Sequence, residues 1–253
     1  GESYGHHHKF GDLCLAHALT IDAPGRGFVL TNYGEYLEQF PPEIEVEIDN
    51  GPDGEGSSWS CAHGVRRWRS DCGCHTGGES GWNQAWRAPL RQALDYLRDE
   101  AAAHFEATRG ELFADPWMAR DDAISLILDQ TKSREDFLRA HATRELTREQ
   151  ELRALLFLEL QRNALLMYTS CGWFFSDIAG IEPIQILRYA CRAIDLNNQL
   201  GQPDLRNHFL EILSAAKSNR PELGNGADIY RRFVEPSNPS FTPDRERLVS
   251  TVS

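Results

Sequence analysis

Three cysteines and one histidine lie close together in this chain, and they are the residues best suited to chemistry. Cys61 and His63 form a Cys-x-His pair, and Cys72 and Cys74 form a Cys-x-Cys pair further along. Thiolate sulfur and imidazole nitrogen are the ligands that zinc takes in tetrahedral structural sites. Although Cys-x-Cys is tighter than the usual Cys-x-x-Cys spacing, the segment predicts a loop folded round one zinc ion. Buried free thiols beside a hydrogen-bonded histidine are the alternative.

Other uses of cysteine have weaker support in the sequence. A catalytic thiol built from Cys61 and His63 would need a third group to orient the base, and no spacing marks one. The remaining cysteines, Cys14, Cys171 and Cys191, are scattered, unlike the framework of a disulfide-rich secreted protein. This distribution favours a reducing compartment, so we expect the protein to be cytoplasmic.

Tryptophan is concentrated in the same part of the chain. Four of the six tryptophans, Trp59, Trp68, Trp82 and Trp86, fall between residues 59 and 86 among Gly, Ser and Asn. A sugar ring packs on the flat face of an indole while polar neighbours bind its hydroxyls. Trp59, Trp82 and Trp86 are therefore candidates for a sugar-binding site. In the alternative interpretation, Trp82 and Trp86 anchor the core under the following helix.

Two further segments carry candidate residues. Trp173 is followed by two phenylalanines that are costly to expose, so these rings line a pocket or fill the core. Asp177, just after them, could orient a ligand hydroxyl or cap a turn. At the N-terminus, Glu2, His6 and His7 lie in a glycine-bounded segment that enters a helix, where an α/β barrel would keep active-site residues. A solvated helix start is the alternative there.

The elements that must position these residues are mainly helical. An apolar stripe runs through residues 90–105, and Thr147 with Gln150 forms a capping box before an apolar stretch that ends at Tyr168. Beyond Arg220 the composition turns to Pro, Asn, Gly and Ser, and the last 20 residues are expected to pack loosely. We therefore predict a helical bundle preceded by an irregular Trp- and Cys-rich loop.

The first 50 residues have a different pattern. A helix is expected before Pro41, with Thr31 or Asn32 as its cap, and residues 27–30 form a short candidate strand. At residues 44–48, Ile and Val alternate with Glu, a period of two that predicts a second strand. This alternation of helix and strand predicts a short remnant of an α/β layer.

Composition excludes two classes of partner. The 253 residues contain 26 Lys and Arg against 38 Asp and Glu, a formal net charge of -12. A nucleic-acid partner is not expected, because neutralising phosphates needs a basic face. No apolar run approaches the roughly 20 residues that a membrane span requires, so no membrane partner is expected either.

Together these segments resemble glycoside hydrolase family 57. The opening Gly-Glu-Ser-Tyr-Gly-His-His is similar to the tail of the family's fourth signature motif. Ser-Ser-Trp-Ser-Cys-Ala-His-Gly at 57–64 and Gly-Trp-Asn-Gln-Ala-Trp-Arg at 81–87 resemble the loop that follows, and residues 170–177 resemble a divergent fifth motif. From residue 57 onward the chain is similar to the domain of unknown function DUF3536, which is found joined to family 57 catalytic domains.

The resemblance implies a retaining enzyme acting on α-glucans, with two carboxyl groups about 5 to 5.5 Å apart. It implies that residues 1–56 end an incomplete (β/α)7 barrel and that residues 57–253 are a DUF3536-like helical domain. The nucleophilic Glu and the acid/base Asp would both precede Gly1, so we expect the C-terminal part of a longer polypeptide, inactive alone. The chemistry requires no cofactor. Glu2 and His6 match the motif, whereas His7 stands where relatives often have Trp.

Two functions follow as hypotheses. In the first, the chain contributes the rim of a cleft for an α-glucan or oligosaccharide and packs on the upstream catalytic barrel of its own polypeptide. Its substrate-binding residues would be Glu2, His6, His7, Trp59, Trp82, Trp86, Trp173 and Asp177. In the second, it is a non-catalytic helical module that braces the barrel or mediates subunit contacts. Its structural zinc would be held by Cys61, His63, Cys72 and Cys74.

Overall fold

The computed structural model describes residues 9–51, 54–58, 60–128 and 132–236, and it is mainly helical. The helices are α1 (Gly11–His17), α2 (Ala23–Gly25), α3 (Tyr33–Gln39), α4 (Arg87–Glu106), α5 (Pro116–Asp122), α6 (Ser125–Leu128), α7 (Arg134–His141), α8 (Arg148–Leu166), α9 (Ile181–Gln199), α10 (Arg206–Leu213) and α11 (Gly226–Phe233). A π-helical turn, Ala18–Asp22, joins α1 to α2. Single 3-10 turns lie at Arg66–Trp68, Ser170–Trp173 and Pro221–Leu223.

The chain divides into two compact units after Asp49, earlier than the boundary at residue 56 expected from the sequence. In the first unit, α3 begins where the sequence predicts. Asn32 is extended, and its side-chain oxygen accepts a hydrogen bond from the backbone N–H of Glu35 at 3.0 Å. This bond satisfies one of the N–H groups that a helix start leaves unpaired.

The two strands expected in this unit, at residues 27–30 and 44–48, are not formed. Residues 9–51 contain no β-ladder, so the described part of the chain shows no α/β remnant. A strand is stable only when a neighbour takes its backbone N–H and C=O groups and a core takes its apolar face. Ile44, Val46 and Ile48 are 84, 81 and 78% exposed, so their alternating pattern has no core to pack on here.

The second unit, Asn50–Ser253, has a continuous helical core in its described part. Helix α4 packs against α8, α9 and α10, and α8 packs along α9. The stripe predicted on α4 is buried, with Leu90, Leu94 and Phe105 each 0% exposed. The start of α4 is therefore fixed by packing, and the loop that leads into it has a rigid support.

Helix α8 starts with the capping box that the sequence predicts. The Thr147 hydroxyl accepts a hydrogen bond from the N–H of Gln150 at 3.3 Å, and the Gln150 side chain accepts one from the N–H of Thr147 at 3.1 Å. Replacing Thr147 with alanine should lower the free energy of unfolding by about 1 kcal/mol, because the N–H of Gln150 loses its side-chain acceptor. Urea unfolding followed by circular dichroism measures the loss. The exposed Thr143→Ala is the control, and an equal loss there would contradict the assignment.

Helix α11 lies beyond Arg220, in a part of the chain with a turn-rich composition, and the last 20 residues, which are expected to pack loosely, lie outside the described residues apart from 234–236. The side chain of Asn225 caps the helix by accepting hydrogen bonds from the N–H groups of Ala227 and Asp228. The carboxylate of Asp228 in turn accepts a hydrogen bond from the N–H of Asn225. Ile229 and Tyr230 are each 0% exposed. The amphipathic face of this one short helix outweighs the loop-like composition around it.

Candidate metal centre

The segment between residue 60 and α4 is irregular, yet side chains fix its path. One carboxylate oxygen of Asp71 accepts a hydrogen bond from the N–H of Gly73 at 2.9 Å, and the other accepts one from the N–H of Gln84 at 3.0 Å. Gly64 lies in the turn after the Cys-x-His pair with a φ of 62°, and a Cβ there would lie 2.6 Å from the carbonyl oxygen of Gly56. Only glycine fits that turn without a backbone shift.

This path brings the two predicted ligand pairs together. The sulfur atoms of Cys61 and Cys72 are 3.7 Å apart, and the sulfur of Cys74 is 3.4 Å from Nδ1 of His63. All four ligand atoms lie within 4.8 Å of one another. Zinc–sulfur bonds of about 2.3 Å give a tetrahedron with edges of about 3.8 Å, so the four residues fit a tetrahedral metal ion. The cluster could therefore hold a metal, as the sequence predicts.

The environment of the thiols differs between ligands. Burial raises the pKa of Cys61, but hydrogen bonds from the backbone of His63 and Arg67 to its sulfur outweigh burial and lower the pKa to about 7. Burial raises the pKa of Cys72 above its ordinary value, and the neighbouring Cys61 raises it further. Thiolates are the metal-binding form, so Cys61 is better prepared for binding than Cys72.

Two arginines flank the cluster, and sequence reasoning did not single them out. Arg87, the first residue of α4, is 0% exposed and donates a hydrogen bond from Nη1 to the carbonyl oxygen of Cys74 at 2.8 Å. The same nitrogen lies 3.9 Å from the sulfur of Cys72. Arg67 is 4% exposed, and its guanidinium lies 4.6 Å from the centre of the Phe174 ring. The Trp-Arg pair that ends the 81–87 segment was the only sequence signal for Arg87.

The tryptophan candidates occupy different environments. Trp86 and Trp173 are each 1% exposed and belong to the core, so neither presents a ring face to a sugar in this structure. The indole N–H of Trp86 donates to the side-chain oxygen of Gln84 at 3.1 Å. Trp82 is half-buried, and the guanidinium of Arg220 lies 5.5 Å from its ring. Of these three, Trp82 alone keeps an accessible face.

Asp177 ties three loops together. Its carboxylate accepts hydrogen bonds from the N–H of Ala179 at 2.8 Å and from the N–H of Asn219 at 2.6 Å, and the Ser218 hydroxyl donates to both oxygens. The side chain of Asn219 in turn donates to the carbonyl oxygens of Asn83 and Ser176. Asp177 is 6% exposed, so the structure places it as a turn cap and a link between loops.

Replacing Asp177 with asparagine tests this link. The amide puts an N–H₂ group where the carboxylate accepted hydrogen bonds, so one backbone donor loses its partner, and about 1–3 kcal/mol of stability should be lost. Thermal unfolding measures the change. The exposed Asp121, which pairs with Arg120 at 2.7 Å, is the matched control, and Asp121→Asn should cost less than about 1 kcal/mol. Equal effects of the two substitutions would contradict the role given to Asp177.

The other candidates from the sequence, Glu2, His6, His7 and Trp59, lie outside the described residues. Among the sugar-site candidates in the described part of the chain, Trp82 keeps an accessible ring face whereas Trp86, Trp173 and Asp177 are buried. All four metal-ligand candidates converge. No described helix combines the length and the apolar character that crossing a membrane requires.

Comparison with known proteins identifies the family of this chain but assigns it no activity. A family model described as "Domain of unknown function (DUF3536)" matches residues 82–243, more than half of the chain. No curated protein and no solved structure matches the chain. The match covers Arg87 and the helical core and begins after the four metal-ligand candidates. The chain therefore belongs to the DUF3536 family.

Proposed function

We propose that the chain acts as a helical module whose loop between residues 60 and 86 is held in place by one structural zinc ion. The observation that carries the proposal is the convergence of Cys61, His63, Cys72 and Cys74, whose ligand atoms all lie within 4.8 Å of one another. A set of three thiolates and one imidazole is typical of closed zinc sites and leaves no open position for a substrate. The ion would therefore stabilise structure, and a reducing compartment such as the cytoplasm would keep its thiols available.

The contacts of this loop indicate what the ion would brace. The indole N–H of Trp68 donates to the carbonyl oxygen of Ser170 at 3.1 Å, and the Ser176 hydroxyl donates to the carbonyl oxygens of Thr76 and Gly77 at 3.0 and 2.7 Å. The loop thus joins the start of α4 to the segment between α8 and α9. A metal that fixes the loop would fix that shared surface, which suits a module that braces a neighbouring domain or a second subunit.

Metal analysis of gently purified protein tests this proposal. Inductively coupled plasma mass spectrometry should find one zinc ion per chain in the wild type and in Cys171→Ser, which changes an exposed cysteine outside the cluster. A Cys74→Ser variant should hold much less than one ion, because a hydroxyl is a poor zinc ligand at neutral pH. Absence of zinc from the wild type, together with no uptake of added zinc, would overturn the proposal.

A second candidate function is the one that the sequence resemblance implies, a part in an α-glucan-active glycosidase. One observation of the structure favours it: the first unit exposes apolar side chains that need a partner. Phe28, Val29 and Tyr33 are 68, 88 and 90% exposed. The three apolar residues at 44–48, where the expected strand does not form, are exposed to a similar degree. An acidic and apolar alternating segment of this kind could complete the sheet of a barrel supplied by another part of the polypeptide. In this function Trp82, which keeps an accessible ring face, is the residue that would stack on the sugar.

Calorimetric titration of the full native polypeptide with a linear α-glucan oligosaccharide tests this second function. Trp82→Ala should weaken binding at least about tenfold, since loss of one stacked ring face removes more than about 1.4 kcal/mol. Trp117→Ala is the control, because Trp117 is likewise partly buried but packs edge-on against the core residue Phe105. Unchanged affinity in Trp82→Ala would remove that residue from the cleft, and no binding by the wild type would reject the glucan function.

A further inference from the structure

Arg67 lies within the loop that carries the cluster and Arg87 at its end, both are buried, and neither forms an ion pair with a carboxylate in the described part of the chain. Nε and Nη1 of Arg67 and Nε and Nη2 of Arg87 are inaccessible and have no hydrogen-bond partner among the described residues. A buried charge without a partner is strongly destabilising, so a negative group is expected close to these two side chains.

The contacts point to the metal centre as that group. Nη1 of Arg87 reaches the Cys72 sulfur at 3.9 Å and the Cys74 carbonyl oxygen at 2.8 Å. The backbone N–H of Arg67 donates to the Cys61 sulfur, while its guanidinium is covered by Phe174. The unpartnered N–H groups are closed to solvent, which leaves no route for a bound anion to reach them.

The charges balance only when the metal is bound. Three thiolates, a neutral imidazole and a divalent ion together carry one negative charge, and the carboxylate of Asp71, which acts electrostatically on Arg87, supplies a second. These two charges match the two guanidinium groups. If the thiols are protonated and the metal is absent, the cluster contributes no negative charge, and Asp71 is left as the carboxylate that acts electrostatically on Arg87.

We propose that Arg67 and Arg87 are positioning residues that serve as the counter-cations of the metal–thiolate centre, an inference that rests on the proposed zinc site. Their charge favours the anionic, metal-loaded cluster over the protonated, metal-free one. Metal binding in turn stabilises the buried position of both guanidinium groups, at the start of α4 and against Phe174. Occupancy of the site is therefore coupled to the docking of the loop on the helical core.

The proposal predicts opposite effects on the two forms of the protein. Arg67→Met and Arg87→Met each remove one counter-cation, so zinc affinity measured by competition with a chelator should fall about 10- to 100-fold, as for other outer-shell partners of metal sites. The melting temperature of the metal-free protein should stay the same or rise, because a buried unpaired charge is replaced by an apolar side chain. A side chain with a purely structural role would lower the stability of both forms.

A spectroscopic readout and matched variants complete the test. With Co²⁺ in place of zinc, the thiolate-to-metal charge-transfer bands of Arg87→Met should shift to lower energy, because the sulfur loses an N–H partner. Arg91→Met is the control, because Arg91 lies one turn along α4 and donates to the Trp68 carbonyl oxygen and to Asp95. The Arg91→Met variant should bind zinc with the affinity of the wild type. Arg87→Lys, which keeps the charge, should recover part of the affinity.

The outcomes separate this inference from the proposed function. Wild-type zinc affinity in both Arg67→Met and Arg87→Met would overturn the counter-cation role and leave the zinc site intact. A metal-free protein destabilised by both substitutions would also overturn it. If Arg87→Met does not fold, Arg67→Met decides, since its side chain donates no hydrogen bond to the loop. A wild type that binds no metal would reject the zinc site and this inference together.

Discussion

Replacing Cys72 with serine should abolish tight zinc binding and remove the stabilisation that added zinc gives the wild type. Cys72 lies at the centre of the cluster, 3.7 Å from the Cys61 sulfur and within reach of Arg87. Free zinc at a thousand times its dissociation constant adds about 4 kcal/mol to stability. In a domain of this size, that gain raises the melting temperature by roughly 8–16 °C. Differential scanning calorimetry with and without zinc measures the shift.

The matched control for this substitution is Cys171→Ser. Cys171 is exposed and lies outside the cluster, so this variant should keep the full zinc-dependent rise in melting temperature. In Cys72→Ser the rise should vanish, and the segment from residue 60 to residue 86 should become sensitive to proteolysis. The same zinc-dependent rise in Cys72→Ser and in the wild type would exclude Cys72 as a ligand.

Replacing Trp86 with alanine should destabilise the helical unit by about 3–5 kcal/mol. The indole of Trp86 is 1% exposed within the core cluster, and its N–H bonds to Gln84, which is itself 2% exposed. The substitution leaves a cavity at the start of α4 and an unpaired buried amide oxygen. Chemical unfolding at equilibrium, with zinc present throughout, measures the loss.

Trp82→Ala is the matched control for Trp86→Ala, four residues earlier in the same segment. Trp82 is half-buried and has Arg220 on its ring, so its removal should cost clearly less stability than the removal of Trp86. If Trp86→Ala and Trp82→Ala lose the same free energy of unfolding, Trp86 is not the core anchor that its burial indicates. The comparison also separates the two interpretations of tryptophan left open by the sequence.

The helices could be predicted from the sequence where local signals and packing agree. The Thr147–Gln150 box and the apolar stripe of α4 each combine a helical period with a suitable boundary, and both are confirmed. By contrast, residues 44–48 have a local strand pattern without a partner strand, and they form none. Strand formation depends on backbone groups elsewhere in space, which a local pattern does not supply.

The ligand set could be predicted for a different reason. Cysteine and histidine are uncommon, so five of them between residues 61 and 75 restrict the possible arrangements strongly. Arginine is common and long, and its role depends on which side chains the fold places around it. The sequence therefore does not distinguish Arg67 and Arg87 from other arginines. Their burial, and the lack of hydrogen-bond partners for their buried N–H groups among the described residues, are seen only in the structure. Asp177 is a candidate from the sequence because it directly follows a run of aromatic residues. Its hydrogen bonds with Ser218 and Asn219 depend on the fold, so the sequence does not predict them.

The central claim, that the four converging residues hold one structural zinc ion, is tested most directly by X-ray absorption at the zinc edge on the native protein. The account predicts a four-coordinate ion with three sulfur neighbours at about 2.3 Å and one nitrogen neighbour at about 2.0 Å. A shell made only of oxygen and nitrogen, or a protein that takes up no zinc, would contradict it.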